Sequence, residues 1–256
     1  MTSLSRLAAV HLLACGMLLV LPATSGAEQL PPVAEQMAKT YGLDSFGQVE
    51  AIRYTFEIPG LVPPRTWEWH PKTDTVTYEG KDKEGNPMKV TYKRSELDSQ
   101  SDAVKTQIDP GFVNDQYWLV LPLHVAWDGA TVTDEGVHET PLGKTSAHKI
   151  VVKYAASGYS PGDTWDLYVG PDKRVVEMTY HRAVPAPKLP NLVNAKWEGY
   201  KKAGPLLFST EHHGTADGQP FEVSLTDVAV KVVGSDKWVN AQSASEQAAS
   251  ERIARK

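Results

Sequence analysis

The most apolar and aromatic stretch beyond the N-terminal segment is DPGFVNDQYWLVLPLHVAW, at residues 109–127. Asp109 is a residue type that caps helices and Pro110 suits the first helical position, so a helix is predicted to begin here. Pro122 lacks an N–H and disfavours helical backbone at Leu121, so the helix is predicted to end there. Its apolar face must be covered by other elements, and it consists of Phe112, Val113, Tyr117, Val120 and Leu121.

Much of the remaining chain alternates between apolar and polar positions, which is typical of half-buried strands. Residues 49–58, for example, place Ile52, Tyr54 and Phe56 on one face and polar side chains on the other. Further strands are predicted around Trp67 and Trp69 and at residues 75–79, 88–93, 144–154, 163–169, 174–181, 195–200, 206–213 and 221–233.

Helices and loops account for the segments between these strands. A first helix is predicted at residues 31–41, ending at a left-handed Gly42. Residues 95–107 are polar and predict only a loose helix. Residues 129–143 show no clear periodicity and predict mostly loop, with room for a short strand, and the proline-rich residues 183–194 predict a surface loop.

These elements predict a mainly β (α+β) fold. Short strands with hairpin-length links, without strand–helix alternation, favour an antiparallel sheet. A sheet of about nine to eleven strands has to curl, so we expect a half-open β-barrel with the helices packed in or over its concave face. Residues 28–235 are predicted to form this single domain, and residues 236–256 a polar tail that is a short helix or disordered.

The N-terminal segment predicts an export signal. Arg6 precedes an apolar stretch at residues 7–21, and small side chains suited to cleavage follow, so residues 1–27 are predicted as a signal peptide. The alternative is a lipoprotein signal, because the residues before Cys15 resemble a lipobox. Cleavage there would leave part of the apolar stretch at the mature N-terminus. We therefore expect an exported, periplasmic protein, with lipid anchoring through Cys15 as the alternative.

Composition limits the classes of function. Cys15 is the only cysteine, so the chain beyond the leader has none for disulfides or thiolate chemistry. The formal net charge is −5, and about −6 without Arg6 of the leader, which argues against a nucleic-acid-binding surface. After the leader, no run approaches the ~20 apolar residues of a membrane helix.

One motif, Gly158-Tyr159-Ser160-Pro161-Gly162, matches the G-x-S-x-G pattern of serine hydrolases. That motif requires a helix after the serine and a backbone N–H from the residue that follows it. Pro161 has no N–H, and the segment leads into a predicted strand. We therefore predict a turn rather than a nucleophile at Ser160, and a protein that is not an enzyme.

The eight histidines raise the question of a metal site, and His212-His213 is their densest cluster. Neighbouring residues of a strand project to opposite faces, so this pair is poorly placed to share one ion. The sequence contains no H-E-x-x-H or comparable ligand spacing. We predict no metal site and no cofactor.

Aromatic side chains on the strands and the central helix are expected to converge. Large rings bury much apolar area, and aromatic-lined hollows suit apolar ligands. Such rings also fill ordinary cores, so a ligand cavity and a solid core remain alternatives. The candidates for the cavity lining are Trp67, Trp69, Phe112, Tyr117, Trp118, Trp127 and Trp165.

Four groups of residues form a distinctive set: WEW at 67–69; FVNDQYWL at 112–119, followed by Pro122; YSPGDT at 159–164, leading to LYV at 167–169; and WEGY at 197–200, with GPL at 204–206 and ST at 209–210. The set resembles an uncharacterised family of exported bacterial proteins over most of the chain beyond the leader. The order of elements is similar to the LolA/LolB-type lipoprotein-localisation superfamily.

The resemblance implies a half-open β-barrel with helices as a lid, a hydrophobic cavity, and carriage of acyl chains across the periplasm without chemistry. In the carrier superfamily an arginine on an early strand helps to hold the lid shut. Arg53 and Arg65 are the candidates for that lid contact here.

We therefore expect a binding or carrier protein for a lipid or lipoprotein acyl chain, held between the sheet and the helix around residues 112–121. The alternative is a solid-cored cell-envelope scaffold or interaction protein without a ligand. Expected partners are the hydrophobic molecule and a membrane-associated delivery partner, but no nucleic acid. The protein is expected to be a monomer.

Overall fold

The computed structural model describes residues 29–82, 84–187 and 189–254. The predicted signal peptide at residues 1–27 and the alternative anchor Cys15 lie outside these ranges. Among the helices within them, none combines the length and apolar character needed to span a bilayer.

The described chain is mostly β-structure with three α-helices. Short 3-10 turns lie at Leu43–Gln48 and Arg94–Ser99, and a π turn lies at Val104–Ile108. The helices and strands are α1 (Pro32–Thr40), β1 (Val49–Ile58), β2 (Val62–His70), β3 (Thr75–Lys81), β4 (Pro87–Lys93), α2 (Asp109–Trp127), β5 (Thr131–Glu139), β6 (Ser146–Lys153), β7 (Thr164–Val169), β8 (Val175–His181), β9 (Leu192–Lys196), β10 (Lys201–Ala203), β11 (Leu206–Phe208), β12 (Glu211–Ala216), β13 (Gln219–Val232), β14 (Trp238–Asn240) and α3 (Ala244–Ala254).

One large antiparallel sheet dominates the fold. Its strands lie in the order β4-β3-β2-β1-β13-β12-β9-β8-β7-β6-β5, with β14 added beside β13, and β10 and β11 form a separate hairpin. In this order β4 and β5 are the two edges and do not pair with each other, so the sheet is not closed. The predicted fold class, a large antiparallel sheet with a few helices, is confirmed.

The helix α2 lies in the hollow of this sheet. Trp67 of β2 donates from Nε1 to Oδ2 of Asp115 at 2.8 Å, and its ring packs against Phe112 with centroids 5.5 Å apart. Elsewhere along the helix, the ring of Tyr117 packs against Trp165 of β7, at 6.0 Å. Five strands separate β2 from β7 in the sheet order. The sheet therefore has to curl around α2 for one helix to reach both strands.

The predicted end of the central helix is wrong. α2 continues through Pro122 to Trp127, and its backbone leaves helical geometry only at Val120, with φ −131° and ψ 22°. Because the proline ring crowds the carbonyl four residues earlier and lacks an N–H, Pro122 bends the helix at this point. The buried side chains of Leu121 and Leu123 show why the chain stays helical beyond the bend, since both are covered by the fold.

The predicted capping role of Asp109 is also wrong. The π turn before it runs directly into α2, the backbone of Asp109 is itself helical, and no side-chain cap bond forms at this end. Its carboxylate instead accepts hydrogen bonds from Tyr92 and Arg94, so it serves tertiary packing. Sequence spacing alone does not distinguish these two uses of an aspartate.

The edge strand β5 occupies a segment predicted to be mostly loop. It pairs with β6 along its length, and the register shifts between Asp134 and Val137. Gly136, inside this irregularity, has a left-handed φ of 81°. A bulge of this kind interrupts the period of two, which explains why the alternation was not visible in the sequence.

Other elements follow the predictions with shifted boundaries. α1 is followed by Gly42 in the left-handed conformation, with φ 104°. The strand predicted at 195–200 begins earlier, as β9, and the one predicted at 206–213 is divided between β11 and β12. Beyond residue 235 the chain adds β14 to the large sheet and then forms the short helix α3.

Strands β12 and β9 approach closely at Gly214. A Cβ placed on Gly214 would lie 1.8 Å from the carbonyl oxygen of Asn194. That oxygen belongs to the backbone of the neighbouring strand, so it cannot move aside without disturbing the sheet. Only glycine fits at this position.

We predict that Gly214→Ala lowers the free energy of unfolding by about 2–3 kcal/mol, because the added methyl group forces β9 and β12 apart. Urea denaturation of the wild type and the variant measures this difference. Gly47→Ala is the control, since a Cβ at Gly47 meets no described atom within 4 Å. Equal stability of the Gly214 variant and the wild type would contradict the packing described here.

Candidate functional site

A cleft opens at one end of the half-barrel, between α2 and the sheet. This α2 cleft has a volume of about 430 Å³. At this end β1 and β8 finish and β2, β9 and β13 begin, so the loops that join them surround the opening. Its apolar lining includes Val113, Tyr117 and Trp118 of α2 and Trp165, Tyr180, Val193 and Phe221 of the sheet, and its rim includes Tyr159, Arg182 and Leu189.

A second cleft lies on the other side of the start of α2. This hairpin cleft, of about 490 Å³, is bounded by β2, β3, β4 and the π turn, and it shares Val62, Arg65 and Gly111 with the α2 cleft. Lys81, Asp82 and Glu84 bring charge to the hairpin cleft. The α2 cleft is lined by six aromatic side chains and the hairpin cleft by two, so the α2 cleft offers the larger aromatic surface to an apolar ligand.

The boundary between the two clefts is an ion pair. Nη2 of Arg65, on β2, donates to Oδ1 of Asp115 at 2.6 Å, and the Asp115 side chain is fully buried. Asn114 also donates to Oδ1 at 3.0 Å, and Trp67 donates to the other carboxylate oxygen. This carboxylate thus has partners on both oxygens, as a buried charge requires.

Burial sets the protonation of Asp115. Loss of solvent raises the pKa of its carboxyl group to about 6, although the charge of Arg65 and the hydrogen bonds from Asn114 and Trp67 act in the opposite direction. The anionic form is consequently less favoured inside the protein than in water. The ion pair with Arg65 persists above this pKa and weakens below it.

A second buried carboxylate, Asp109, holds the first turn of α2. Its Oδ1 accepts hydrogen bonds from the Tyr92 hydroxyl at 2.9 Å and from Nε of Arg94 at 2.8 Å. The hydroxyl of Tyr159, from the loop between β6 and β7, donates to Oδ2. Tyr159 therefore ties the rim of the α2 cleft to the helix, although its side chain is 49% exposed.

The other end of α2 is held by Asp128. Nδ1 of His124 lies 2.9 Å from its Oδ1, and the hydroxyls of Tyr117 and Tyr154 both donate to Oδ2. Tyr117 also stacks on His124, with ring centroids 4.2 Å apart. The Tyr117 ring that faces the cleft is therefore fixed at both its face and its hydroxyl group.

His212 lies beneath the floor of the cleft. Its ring is fully buried and packs against Trp118 and Trp197, with centroids 5.3 and 4.7 Å away. Neither ring nitrogen has a well-aligned hydrogen-bond partner among the described residues. Burial lowers the pKa of His212 to about 3, so the ring is neutral at ordinary pH.

The structure separates the predicted site residues into groups. Tyr117, Trp118 and Trp165 line the α2 cleft, Trp67 lines the hairpin cleft, and neither lining contains Trp69, Phe112 or Trp127. Trp69 and Phe112 pack on each other in the core, and Trp127 packs against Phe46.

The two candidate arginines differ in position. Arg65 contacts α2 through Asp115, whereas Arg53 lies with its guanidinium 4.8 Å from the ring centroid of Trp238. Arg53 alternates along β1 with the buried Ile52 and Tyr54, so it projects to the face away from the helix. It is not placed to make the lid contact considered from the sequence.

Sequence reasoning missed Asp109, Asp115, Arg94 and Tyr159. A carboxylate inside an otherwise apolar helix signals a buried partner, because an unpaired charge there is costly. By that rule, the sequence already indicated that Asp115 has a buried partner. The contacts that Arg94 and Tyr159 make with Asp109 could not be found in this way, because they join residues that are 15 and 50 positions apart in the sequence.

The histidine pair lies on a strand and the serine motif lies in a loop, as the sequence predicts. His212 is buried and the adjacent His213 is exposed, as expected for neighbours on a strand. Within the ranges that the structure covers, no group of three or more His, Cys, Asp or Glu side chains is arranged to hold a metal ion. Ser160 lies at the cleft rim in a loop that leads into β7 rather than into a helix.

Comparisons with known proteins give a distant structural likeness. No family model and no curated protein matches the chain. Its fold is similar to the crystal structure of a DUF1329 family protein from Desulfovibrio piger, with a TM-score of 0.42 and 10% sequence identity. The match covers 80% of this chain and 92% of that one.

We predict that the buried Asp115 gives the protein an unusual dependence of stability on pH. Its pKa in the folded state, about 6, is above the ~3.9 of an unfolded aspartate. The folded state therefore holds the extra proton between these values. Relative to Asp115→Asn, wild-type stability should fall by about 3 kcal/mol as the pH rises from about 4 to 6, and then level off.

Urea denaturation of both proteins across this pH range measures the difference. The control is Asp82→Asn, because hydrogen bonds from Asn86 lower the pKa of Asp82. Wild-type stability relative to that variant should instead decrease as the pH falls below about 4. A stability difference for Asp115→Asn that does not change between pH 4 and 6 would contradict this account.

We predict that His212 makes the fold sensitive to acid. Its folded pKa, about 3, is below the ~6.5 of an unfolded histidine. Stability is therefore complete above pH 6.5 and decreases by about 3 kcal/mol between pH 6.5 and 4. His212→Leu should remove this decrease and leave stability at pH 7 within about 1 kcal/mol, because it removes no well-aligned side-chain hydrogen bond.

The matched variant His212→Gln separates the effect of protonating His212 from the effect of burying a polar side chain. It should also remove the acid-dependent loss, but it places a neutral amide in the same buried position and should cost stability at every pH. Thermal unfolding followed by circular dichroism measures both effects. Persistence of the wild-type acid sensitivity in both variants would show that another group is responsible.

Proposed function

We propose that this protein is a periplasmic binding or carrier protein that holds an apolar ligand, such as an acyl chain, in the α2 cleft. The observation that carries this proposal is the cleft itself, an opening of about 430 Å³ lined by rings from both the helix and the sheet. Its size lies within the ~300–1,000 Å³ typical of ligand pockets. The proposal describes binding without a chemical step.

The chemistry of the lining supports a largely apolar ligand. Trp118, Trp165 and Phe221 supply broad hydrophobic surfaces, and the carboxylate of Asp163 is occupied by the Tyr180 hydroxyl at 2.6 Å and the backbone of Ala183 at 2.9 Å. Apolar contact contributes roughly 25 cal/mol per Å² removed from water. An acyl chain lying along α2 would gain this contribution over its length.

The rim supplies a route for entry. The loop at residues 155–162 reaches α2 through the Tyr159 hydroxyl, while the start of the helix is held separately by Arg65 and Arg94. We propose that this loop, rather than α2, is the element that moves during uptake and release. Breaking one hydrogen bond at a half-exposed tyrosine is less costly than separating a buried ion pair.

A ligand-free cell-envelope scaffold is the second candidate, and one observation favours it. Trp118 is only 7% exposed and packs against His212 and Phe221, so α2 fills much of the hollow as solid core. A scaffold would use the outside of the protein and would have no need of the cleft. Ligand binding distinguishes the two functions directly.

The first test asks whether the protein carries lipid. The full chain, exported with its own leader, is purified without detergent and extracted with organic solvent for mass spectrometry. The emptied protein is then titrated with a dansyl-labelled fatty acid. Stoichiometric lipid or saturable binding supports the carrier; the absence of both would leave the scaffold as the better proposal.

We predict that Asn114→Trp blocks the cleft. Asn114 is an exposed residue of α2 that lines the α2 cleft, so a bulky ring there should occupy the ligand volume, at the cost of one hydrogen bond to Asp115. The Kd for the dansyl fatty acid should rise at least about ten-fold, equivalent to ~1.4 kcal/mol. Gln36→Trp, on the exposed face of α1, is the control and should bind like the wild type. Unchanged binding by the Asn114 variant would place the ligand elsewhere.

A further inference from the structure

The loops around the α2 cleft expose apolar side chains at one end of the molecule. Val184 is 64% exposed, Leu189 53%, Tyr159 49% and Leu192 39%. Tyr159 comes from the loop between β6 and β7, Val184 and Leu189 come from the segment between β8 and β9, and Leu192 begins β9. These segments lie side by side because β7 pairs with β8. Together these four residues form what we call the apolar rim.

The same loops are basic, although the whole chain is acidic. Residues 153–162 and 182–191 contain no acidic residue, whereas the net charge of the chain is −5, and the structure places Lys153 and Arg182 in these segments. The carboxylate that follows, Asp163, is 3% exposed and is engaged by Tyr180 and Ala183. The rim thus presents apolar groups beside Lys153 and Arg182, with one exposed carboxylate, Asp217, that accepts hydrogen bonds from the backbone of Asn191 and Leu192.

We propose that the apolar rim docks the protein onto an anionic lipid surface, with the mouth of the α2 cleft facing the bilayer. Exposed apolar residues in one region mark a contact surface. Apolar side chains that enter the headgroup region beside Lys or Arg are the combination that binds anionic membranes. An anionic bilayer matches both features of the rim at once, because its negative headgroups lie above an apolar interior.

Docking in this orientation is a property separate from ligand binding, because it determines that the mouth of the cleft faces the membrane. The cleft opens between the same two loops, with Tyr159, Arg182 and Leu189 belonging to both the cleft lining and the basic or apolar surface. A chain leaving the bilayer would then enter the cleft without crossing open water. The contact surface and the cleft can nevertheless be altered separately.

Val184, Leu192 and Lys153 allow that separation, because none of the three is part of the cleft lining. The test is flotation of the full-length protein with vesicles of phosphatidylglycerol and phosphatidylethanolamine, compared with phosphatidylcholine vesicles. We expect the wild type to bind the anionic vesicles at least about five-fold more tightly. The double variant Val184→Ser/Leu192→Ser should weaken that binding about ten-fold.

Lys153→Gln should weaken binding to the anionic vesicles about five-fold and leave binding to phosphatidylcholine unchanged. The control is Val233→Ser, at a 53%-exposed apolar residue after the opposite end of β13, and it should bind vesicles like the wild type. Binding of the dansyl fatty acid should be the same in all these variants. Vesicle binding can therefore be lost while fatty-acid binding in the α2 cleft is kept, and fatty-acid binding can be lost while vesicle binding is kept.

Three results would overturn the docking proposal. They are the absence of binding to anionic vesicles, equal binding to both vesicle types, and an equal loss of binding in the rim and control variants. The first would direct attention to a protein partner for the rim. Loss of fatty-acid binding in Asn114→Trp with intact flotation would leave the docking surface in place.

Discussion

Two buried carboxylates on an apolar helix fix how the sheet is arranged around that helix. Nearly every face of α2 is covered, so hydrophobic burial keeps the helix inside the hollow but does not select its rotation. Asp109 and Asp115 do select it, because each has to reach its own arginine, Arg94 or Arg65. A buried charge without its partner would cost about 3–5 kcal/mol. The two ion pairs therefore set the position of the aromatic side chains of α2, whose hydrophobic contacts alone would be non-directional.

The cleft is a consequence of where this pairing places the helix. Beside β12, Trp118 packs against the fully buried His212, and the hollow is filled there. Toward the end where β8 finishes and β9 begins, the rim contacts the helix through Tyr159, and space remains between Tyr117 and Trp165 on one side and the rim on the other. One molecule thus combines a filled core with an open groove.

The sequence predicted the architecture more successfully than the site. Alternation along β1 and β6 is strong because one face of each strand is buried, and this regularity is local. The extension of α2 past Pro122 and the pairing of β5 depend on tertiary contacts that outweigh local preference. The site depends further on contacts between residues distant in sequence, such as Tyr159 with Asp109. Periodicity carries no information about such pairs, although a carboxylate in an apolar run indicates that one must exist.

The order of strands has a consequence for how the chain acquires its structure. β1 to β4 form one set of neighbours in sequence and β5 to β9 another, but the sets are joined only through β12 and β13, where Val49 meets Val232. Closing so long a loop is slow, since its entropy is lost before the contact is gained. During synthesis, one edge of β1 and one edge of β9 therefore stay unpaired until β12 and β13 have been made. The β12–β13 hairpin joins the two parts of the sheet, and premature truncation before it would leave two separate half-sheets prone to aggregation.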